Sequence, residues 1–371
     1  MDSGFYIYGA GIVATSIYTA IKKLYNYVPR AFLVSGKEGN PSEIEGIPVL
    51  TLSEMGQVDN SASYLIATPE IHHMAISDSL CQWGLKKERL IFVDNKLENR
   101  LMEAYFRSLQ GFMSIFELLG EGDNAGAMPS IFNSLKWENA RSDVEVFQAK
   151  CHVDKTLKMS LSTARYIQSI QVGASLTNEV ITEIRDNIGE NISHKNRNYC
   201  ELTAAYYAWK NSQAQYKGLC HYRRIFDVTE KQISALLVEH EDVDVILPYP
   251  SIHYPNISGQ HERYVSETDW NAMLLAMKEV APEYYEAYVT DISKQRFFYN
   301  FNMLIAKREV FDDYCKFLFS VLERTEELTT PKGWERADRF AGYLGENLTT
   351  IYFMKNRDKL TIIHAGKNWL T

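Results

Sequence analysis

Positive charge is in short supply in this chain. Lys and Arg number 39 against 47 Asp and Glu, a formal net charge of -8 over 371 residues. Bulk nucleic-acid binding needs a basic footprint and is excluded as an expectation. Cysteine is also sparse: Cys81, Cys151, Cys200, Cys220 and Cys315 are scattered, odd in number and without a C-x-x-C pair. That pattern is neither a disulfide framework nor a zinc knuckle. No apolar run approaches the roughly 18 residues of a membrane span. The opening MDSGFYIYGAGIVATSI lacks the basic region of a signal peptide. A cytoplasmic protein is expected, with at most peripheral membrane contact, since no basic amphipathic helix stands out. What is present is an ordinary globular mixture, 46% hydrophobic and 23% charged, which excludes global disorder. The length fits two domains, with a third allowed.

Residues 1–95 read as a small α/β unit. The strand-like FYIY at 5–8 runs into Gly9-Ala10-Gly11-Ile12-Val13-Ala14, which fits G-x-G-x-x-[GA] and is followed by a helical pattern. Glycines there let the backbone approach a phosphate, and the helix N-terminus adds free N–H groups. Gly9, Gly11 and Ala14 are therefore nucleotide-binding candidates. Strand signals recur at 31–35, 47–50, 63–67 and 90–93, with a helix from 68–70 to about 84, predicting a Rossmann-like parallel sheet. The second strand ends in Ser35-Gly36, where an NAD-binding unit carries an acidic residue for the ribose. NAD binding, a nucleotide-sugar pocket, and a fold that merely keeps the turn all remain open. The segment resembles the small N-terminal nucleotide-sugar-binding domain of bacterial sugar acyltransferases. Residues 96–143 read as a helical linker whose Gly/Asn/Pro-containing stretch marks a boundary.

From 144 a second unit begins with the alternating VEVFQA. The densest polar cluster is Asp186–Thr203. Asn, Ser and Asp so concentrated ordinarily make turns and a helix cap, here Asn196 or Asn198. His194, Lys195 and Arg197 do not fit that explanation, because cations at a helix start oppose its dipole. Such a loop suits an anion, most simply a diphosphate. The strand at 216–220 runs into His221-Tyr222-Arg223-Arg224. His221 and Arg223 are candidates for contacting phosphate or sugar, a salt-bridged strand edge being the plain alternative. Asn300 and Asn302 lie within FFYNFNMLIA at 297–306, read as an apolar strand, and need partners if buried. A last helix carries Arg339 and Glu346, a structural ion pair or a sugar-binding pair.

The run N-I-S-H-K-N-x-x-Y-C-E-L-T, then Y-x-G-L-C-H-Y-R-R-x-F, then D-V-I-L-P, Y-N-x-N-M and R-F-A-G-Y-L-x-E-x-L resembles a bacterial capsular and exopolysaccharide glycosyltransferase family. That family was long described as a domain of unknown function and includes galactofuranosyltransferases. The resemblance covers residues 144–371. It implies a GT-A-like α/β fold and an inverting transfer from a nucleotide sugar, UDP-linked and including UDP-galactofuranose, to a glycan or lipid-linked oligosaccharide. A homo-oligomer is compatible with this. By position, Asn191, Ser193, Lys195, Asn196, Tyr199 and Glu201 match the first motif, with His194 where acidic or polar residues are usual. His221, Tyr222, Arg223 and Arg224 match the second, and Asn300, Arg339 and Glu346 the last two. Asn347 stands where the family usually has Arg. Inversion needs a base, with Glu346, Asp227 and Glu201 as candidates in that order. The leaving diphosphate needs cations, with Arg223, Arg224 or Lys195 standing in for a metal. Asp242-Val243-Asp244 has the D-x-D form that chelates manganese or magnesium in many sugar transferases, but it precedes a strand instead of ending one, so no metal is favoured. The competing classes are an NAD-dependent nucleotide-sugar oxidoreductase or epimerase, and a non-catalytic nucleotide-sugar-binding scaffold.

Overall fold

The computed structural model describes residues 4–119, 144–157 and 164–370. Two compact units emerge, one from Met1–Gly111 and Ser251–Asn256, the other from Phe112–Pro250 and Ile257–Leu370. In the first, the parallel strands Phe5–Tyr8, Phe32–Val34, Ile47–Thr51, Ser63–Ile66 and Leu90–Phe92 lie in spatial order 3-2-1-4-5, with Glu43–Ile44 antiparallel at the edge. This is the order of a doubly wound sheet. Gly9 turns the chain with φ +120°, and a Cβ there would lie 2.6 Å from the Ala67 carbonyl oxygen. Gly11 caps helix Ile12–Tyr25 through its carbonyl, which accepts the Thr15 N–H, and Ala14 is buried behind it.

The expected linker divides. Asn95–Arg107 is helical, capped by the Asp94 carboxylate on the Leu97 N–H, and packs on helix Ile12–Tyr25. Met113–Ser114 already belongs to the sheet of the second unit, and Ile115–Leu118 makes one helical turn. Residues 120–143, which hold the Gly/Asn/Pro stretch, lie outside the described residues.

The second unit is built on a mixed sheet. Its main path runs Ile184–Arg185, Ile167–Gln171, Val144–Lys150, Tyr216–His221, Leu304–Lys307, Val245–Pro248, Ile362–Ala365 and Met113–Ser114. Leu304–Lys307 is antiparallel to both neighbours, while the other pairings along this path are parallel. Strand alternation divides the core. Phe147, Ala149, Leu219, Leu304 and Ala306 face a cluster with helices Leu202–Asn211, Glu267–Val280, Arg308–Leu328 and Phe340–Asn356. Val144, Val146, Cys220 and Ile305 face the opposite cluster, joined by Ile233 and Leu236 of helix Glu230–Glu239. The chain steps outward from Val144–Lys150 to Ile167–Gln171 and Ile184–Arg185, then crosses back to Tyr216–His221 on the other side. The strand order therefore reverses beside Val144–Lys150, and the carboxyl ends of these strands open a crevice there.

The single strand read at 297–306 is corrected. Phe297–Phe298 and Leu304–Lys307 are separate strands, because Phe301 and Asn302 take positive φ values of 74° and 51° between them. No extended strand passes through that backbone.

A candidate active site at the strand ends

A cleft of about 630 Å³ occupies this crevice. Its floor is Ala149 and Cys151, Val172 and Gly173, and His221, each at or just past the carboxyl end of a parallel strand. Its walls carry Asp154, Lys155, Asn196, Arg197, Cys200, Glu201, Tyr222, Arg223 and Arg339.

One buried carboxylate organises the loops around it. Asp186 accepts the Gly173 N–H at 2.8 Å, the Ala174 N–H at 3.0 Å, the Ser193 hydroxyl at 2.5 Å and the Thr203 hydroxyl at 2.7 Å. Gly173 has φ +66°, and a Cβ there would lie 2.6 Å from Asn196 Oδ1. Only glycine allows that approach. Asn196 in turn donates its amide to the Cys200 carbonyl at 2.7 Å.

Backbone strain gathers here. Among the described residues six non-glycine positions have positive φ, and four of them are Cys200, Phe301, Asn302 and Arg339. Each such residue costs on the order of 1–3 kcal/mol and persists only where the surroundings enforce it. The enforcing contacts are visible. Phe301 N–H donates to Glu346 Oε1 at 2.9 Å, and Asn302 Nδ2 donates to Glu201 Oε1 at 2.8 Å. Arg339 Nε reaches Cys200 Sγ at 3.2 Å. The turn before helix Phe340–Asn356 is held by Arg336, which forks onto buried Asp269 at 2.6 and 2.7 Å.

Glu201 and Glu346 are thus brought together from two helix regions. Burial raises both carboxyls. Glu346 reaches about 7, with the neighbouring Glu201 charge as the second cause, while the Phe301 N–H, Arg224 and Arg339 pull it down. Two neighbouring carboxyls shielded from water do not both ionise cheaply. His221 is pushed well below its ordinary value by burial, then by Arg224, Arg223 and Arg339. It is neutral at pH 7. Its Nδ1 accepts the Arg223 N–H at 3.3 Å and faces Arg224 Nη1 at 3.5 Å. Both partners are donors only, so the ring proton sits on Nε2.

The expected residues separate into those at the cleft and those elsewhere. Asn196, Glu201, His221, Tyr222, Arg223 and Arg339 line it. Arg224 and Glu346 face Glu201 electrostatically from behind. Ser193 is a strut on Asp186. Asn191 closes a turn, its amide on the Gly189 carbonyl and its oxygen accepting the Ser193 N–H. His194 is exposed. Lys195 pairs with buried Glu326 at 2.5 Å and lies over the ring of buried Tyr199. Asn300 is buried. Asp227 accepts from Asn368 at 2.9 Å. Asp244 accepts Lys307 Nζ and the Thr361 N–H, both at 2.9 Å, and with Asp242 precedes strand Val245–Pro248, at the end of the sheet away from the cleft.

Sequence reasoning passed over Gly173, Asp154, Cys200 and Asp186 as site elements, and assigned Phe301 and Trp369 no role. Asp154 lines the cleft and takes the Cys151 N–H at 2.7 Å. Glycine directly after a strand signal was the one available cue for Gly173. Among the described residues no group of three or more His, Cys, Asp or Glu could hold a metal ion. The acidic cleft residues, Asp154 and Glu201, already accept hydrogen bonds from Cys151 and Asn302.

The comparisons with known proteins bear on this unit. No curated protein sequence matches the chain. Its fold is similar to the apo structure of WbbM, a bifunctional glycosyltransferase, with TM-score 0.52 and 24% identity over 62% of this chain and 45% of that one. The chain thus spans less than half of that protein's length. The mannosyltransferase Ktr4p from S. cerevisiae aligns over 93% of this chain and 65% of its own at 9% identity, but a TM-score of 0.22 carries no argument. The sequence profile described as domain of unknown function (DUF4422) matches residues 151–357, which is more than half of the 371 residues and includes nearly every residue of the cleft. The chain belongs to the DUF4422 family.

Proposed function

We propose that the second unit is a glycosyltransferase that moves a sugar from a nucleotide donor, UDP-linked, to a glycan or lipid-linked acceptor with inversion. The observation that carries this reading is the composition of one cleft at the sheet's switch point. Arg223 and Arg339 face it beside a neutral His221, and Glu201 in its wall neighbours the carboxyl of Glu346. Cations suit a diphosphate. A carboxyl poised near 7 suits removal of a hydroxyl proton.

In the proposed reaction the bond between the anomeric carbon and the diphosphate oxygen breaks, and a bond to the acceptor oxygen forms on the opposite face. The acceptor proton passes to the Glu201–Glu346 pair. Arg223, Arg339 and the His221 Nε2–H take up the charge growing on the diphosphate. The fold likeness to WbbM and the H-Y-R-R and N-I-S-x-K-N motifs support the class. The donor sugar rests on the resemblance alone. No helix among the described residues is long and apolar enough to cross a membrane, which fits an acceptor met in water or at a membrane surface.

The test is a thermal-shift screen of the full chain against UDP, UDP-sugars, GDP-sugars and NAD, followed by product analysis with the donors that bind. Stabilisation by UDP or a UDP-sugar, and sugar transfer that survives EDTA, is the expected result, since a ligand of the native state raises the midpoint. Stabilisation by NAD alone overturns the reading. Activity abolished by EDTA and restored by manganese overturns the metal-free form of it.

A further inference from the structure

Arg224 is a half-buried cation held in an unusual way. Its guanidinium sits in the corner of two nearly perpendicular rings, 3.9 Å from the Phe301 centroid and 4.1 Å from that of Trp369, the two rings meeting edge-to-face at 5.3 Å. A buried arginine ordinarily forks onto a carboxylate. Here, among the described residues, its one side-chain hydrogen-bond contact is Nη1 to His221 Nδ1 at 3.5 Å, and its Nε is buried without a partner. Glu201 and Glu346 feel its charge, and among the described residues neither forms an ion pair with it. Phe301 adds to this in a second way. The positive φ that aims its N–H at Glu346 is part of the same backbone turn that sets its ring over Arg224. Trp369 comes from strand Lys367–Trp369, which pairs antiparallel with Arg224–Phe226 and sets Trp369 opposite Arg224. That strand lies beyond the residues matched to DUF4422.

We propose that Trp369 and Phe301 form a clamp that holds Arg224 as a fixed counter-charge behind the Glu201–Glu346 pair and as the neighbour that keeps His221 Nδ1 unprotonated, making Trp369 a positioning residue for the acid–base chemistry of the cleft. The inference rests on the glycosyltransferase reading for its meaning but not for its test. Aromatic faces hold a guanidinium without neutralising it, so its field still reaches the carboxyls. A direct salt bridge would discharge that field into one partner. The charged and titratable groups facing the pair are Arg224, Arg339 and Tyr343, with Cys200, Asp154 and Tyr314 near Glu201; Arg223 and Tyr222 face Arg224, and Lys367 lies 6.0 Å from the Phe301 ring. None of these is carried by Trp369, so its replacement changes no charge directly.

The experiment compares Trp369→Phe and Trp369→Leu in the full chain. Glutamate side-chain carbons and histidine ring nitrogens are followed by isotope-edited NMR against pH, alongside the pH profile of turnover. Trp369→Phe is expected to keep the titration of the carboxyl pair and the Nε2–H form of His221. Trp369→Leu removes one face of the clamp. It is expected to move the carboxyl titration and the acid limb of turnover upward by about one pH unit, as the Arg224 charge is no longer held in place beside the pair. Should Trp369→Leu not fold, Arg224→Lys serves instead, since it keeps the charge but loses the planar stacking; the same upward shift is expected. Carboxyl titrations identical in the leucine or lysine variant and the wild type overturn the clamp. An upward NMR shift in a protein that transfers no sugar from any donor leaves the clamp standing and removes the glycosyltransferase reading.

Discussion

Glu346 is half-buried on helix Phe340–Asn356, with its carboxyl shielded from water and raised from an ordinary 4.5 to about 7. Because the folded value lies above the unfolded one, its stability contribution is fully present below pH 4.5 and is lost as pH rises through 7. Glu346→Gln keeps an oxygen for the Phe301 N–H and removes the charge. It is therefore expected to stabilise the protein at pH 8, by up to about 3 kcal/mol at ~1.4 kcal/mol per pKa unit, and to leave it unchanged at pH 4.5. Urea midpoints at the two pH values measure this. The same variant is expected to lose about 10²-fold or more in turnover; full turnover removes Glu346 from the proposed base. Arg223→Ala tests the other side of the cleft, where loss of a charge-stabilising group costs on the order of 10²-fold in kcat. An Arg223→Ala enzyme with normal kcat contradicts the role of that guanidinium. Glu201, Arg223 and His221 were legible from motif and residue type. Their protonation states were not, because desolvation depends on what the fold packs over them.

At the scale of elements, the cleft depends on close approaches that only glycine and one carboxylate permit. Asp186 accepts four hydrogen bonds from three segments. Asp186→Ala leaves the Gly173 and Ala174 N–H groups without their acceptor and is expected to destabilise the chain by at least about 3 kcal/mol, read from the urea midpoint. Helix Phe340–Asn356 meets helix Leu202–Asn211 through Gly345, whose added Cβ would lie 2.6 Å from Leu202 Cδ1 and 3.2 Å from Asn302 Oδ1. Gly345→Ala pushes on the same contacts that hold Glu201, so it should cost about 1–3 kcal/mol and reduce turnover. Gly342→Ala meets Cys200 Sγ at 3.3 Å and Cβ at 3.4 Å, with the Asn198 carbonyl oxygen at 3.6 Å, and should be milder. Equal effects from the two variants contradict this ordering. The alternation in VEVFQA and the helical spacing after 308 were enough to read their elements. The split of 297–306 was not readable, because an apolar run is the same run whether it is one strand or two, and only partners across the fold for Asn302 and the Phe301 N–H break it.

The whole molecule contains two sites that the chain's motifs propose for nucleotides. One is the glycine turn of the first unit, the other the cleft of the second. Gly11 has open space around its Cα, so Gly11→Glu is tolerated sterically yet sets a carboxylate where a phosphate would meet the N-terminus of helix Ile12–Tyr25. With the proposed site in the second unit, stabilisation by a UDP-sugar is expected to persist in Gly11→Glu and to vanish in Arg223→Ala. The reverse pattern assigns the nucleotide to the first unit and takes the donor role from the cleft.

Local order sufficed for much of this protein. Strand alternation, helical spacing, the G-x-G-x-x-A turn and the long polar motifs are properties of neighbours along the chain, and they specified the α/β class, the strands that begin at Phe5, Ile47, Ser63, Val144 and Tyr216 to within a residue, and the motif loops, but not the strands Ile167–Gln171, Ile184–Arg185 and Ile362–Ala365. Which motif residues meet was decided elsewhere. Ser193 serves Asp186, Lys195 serves Glu326, and Asp244 serves Lys307 and Thr361, while Glu201, Glu346, Arg224, Phe301 and Trp369 converge from five separate segments. A motif records residue types in sequence. Convergence depends on the strand order reversing beside Val144–Lys150 and on two helices close enough to touch through glycine, and those are facts of packing between residues more than a hundred positions apart.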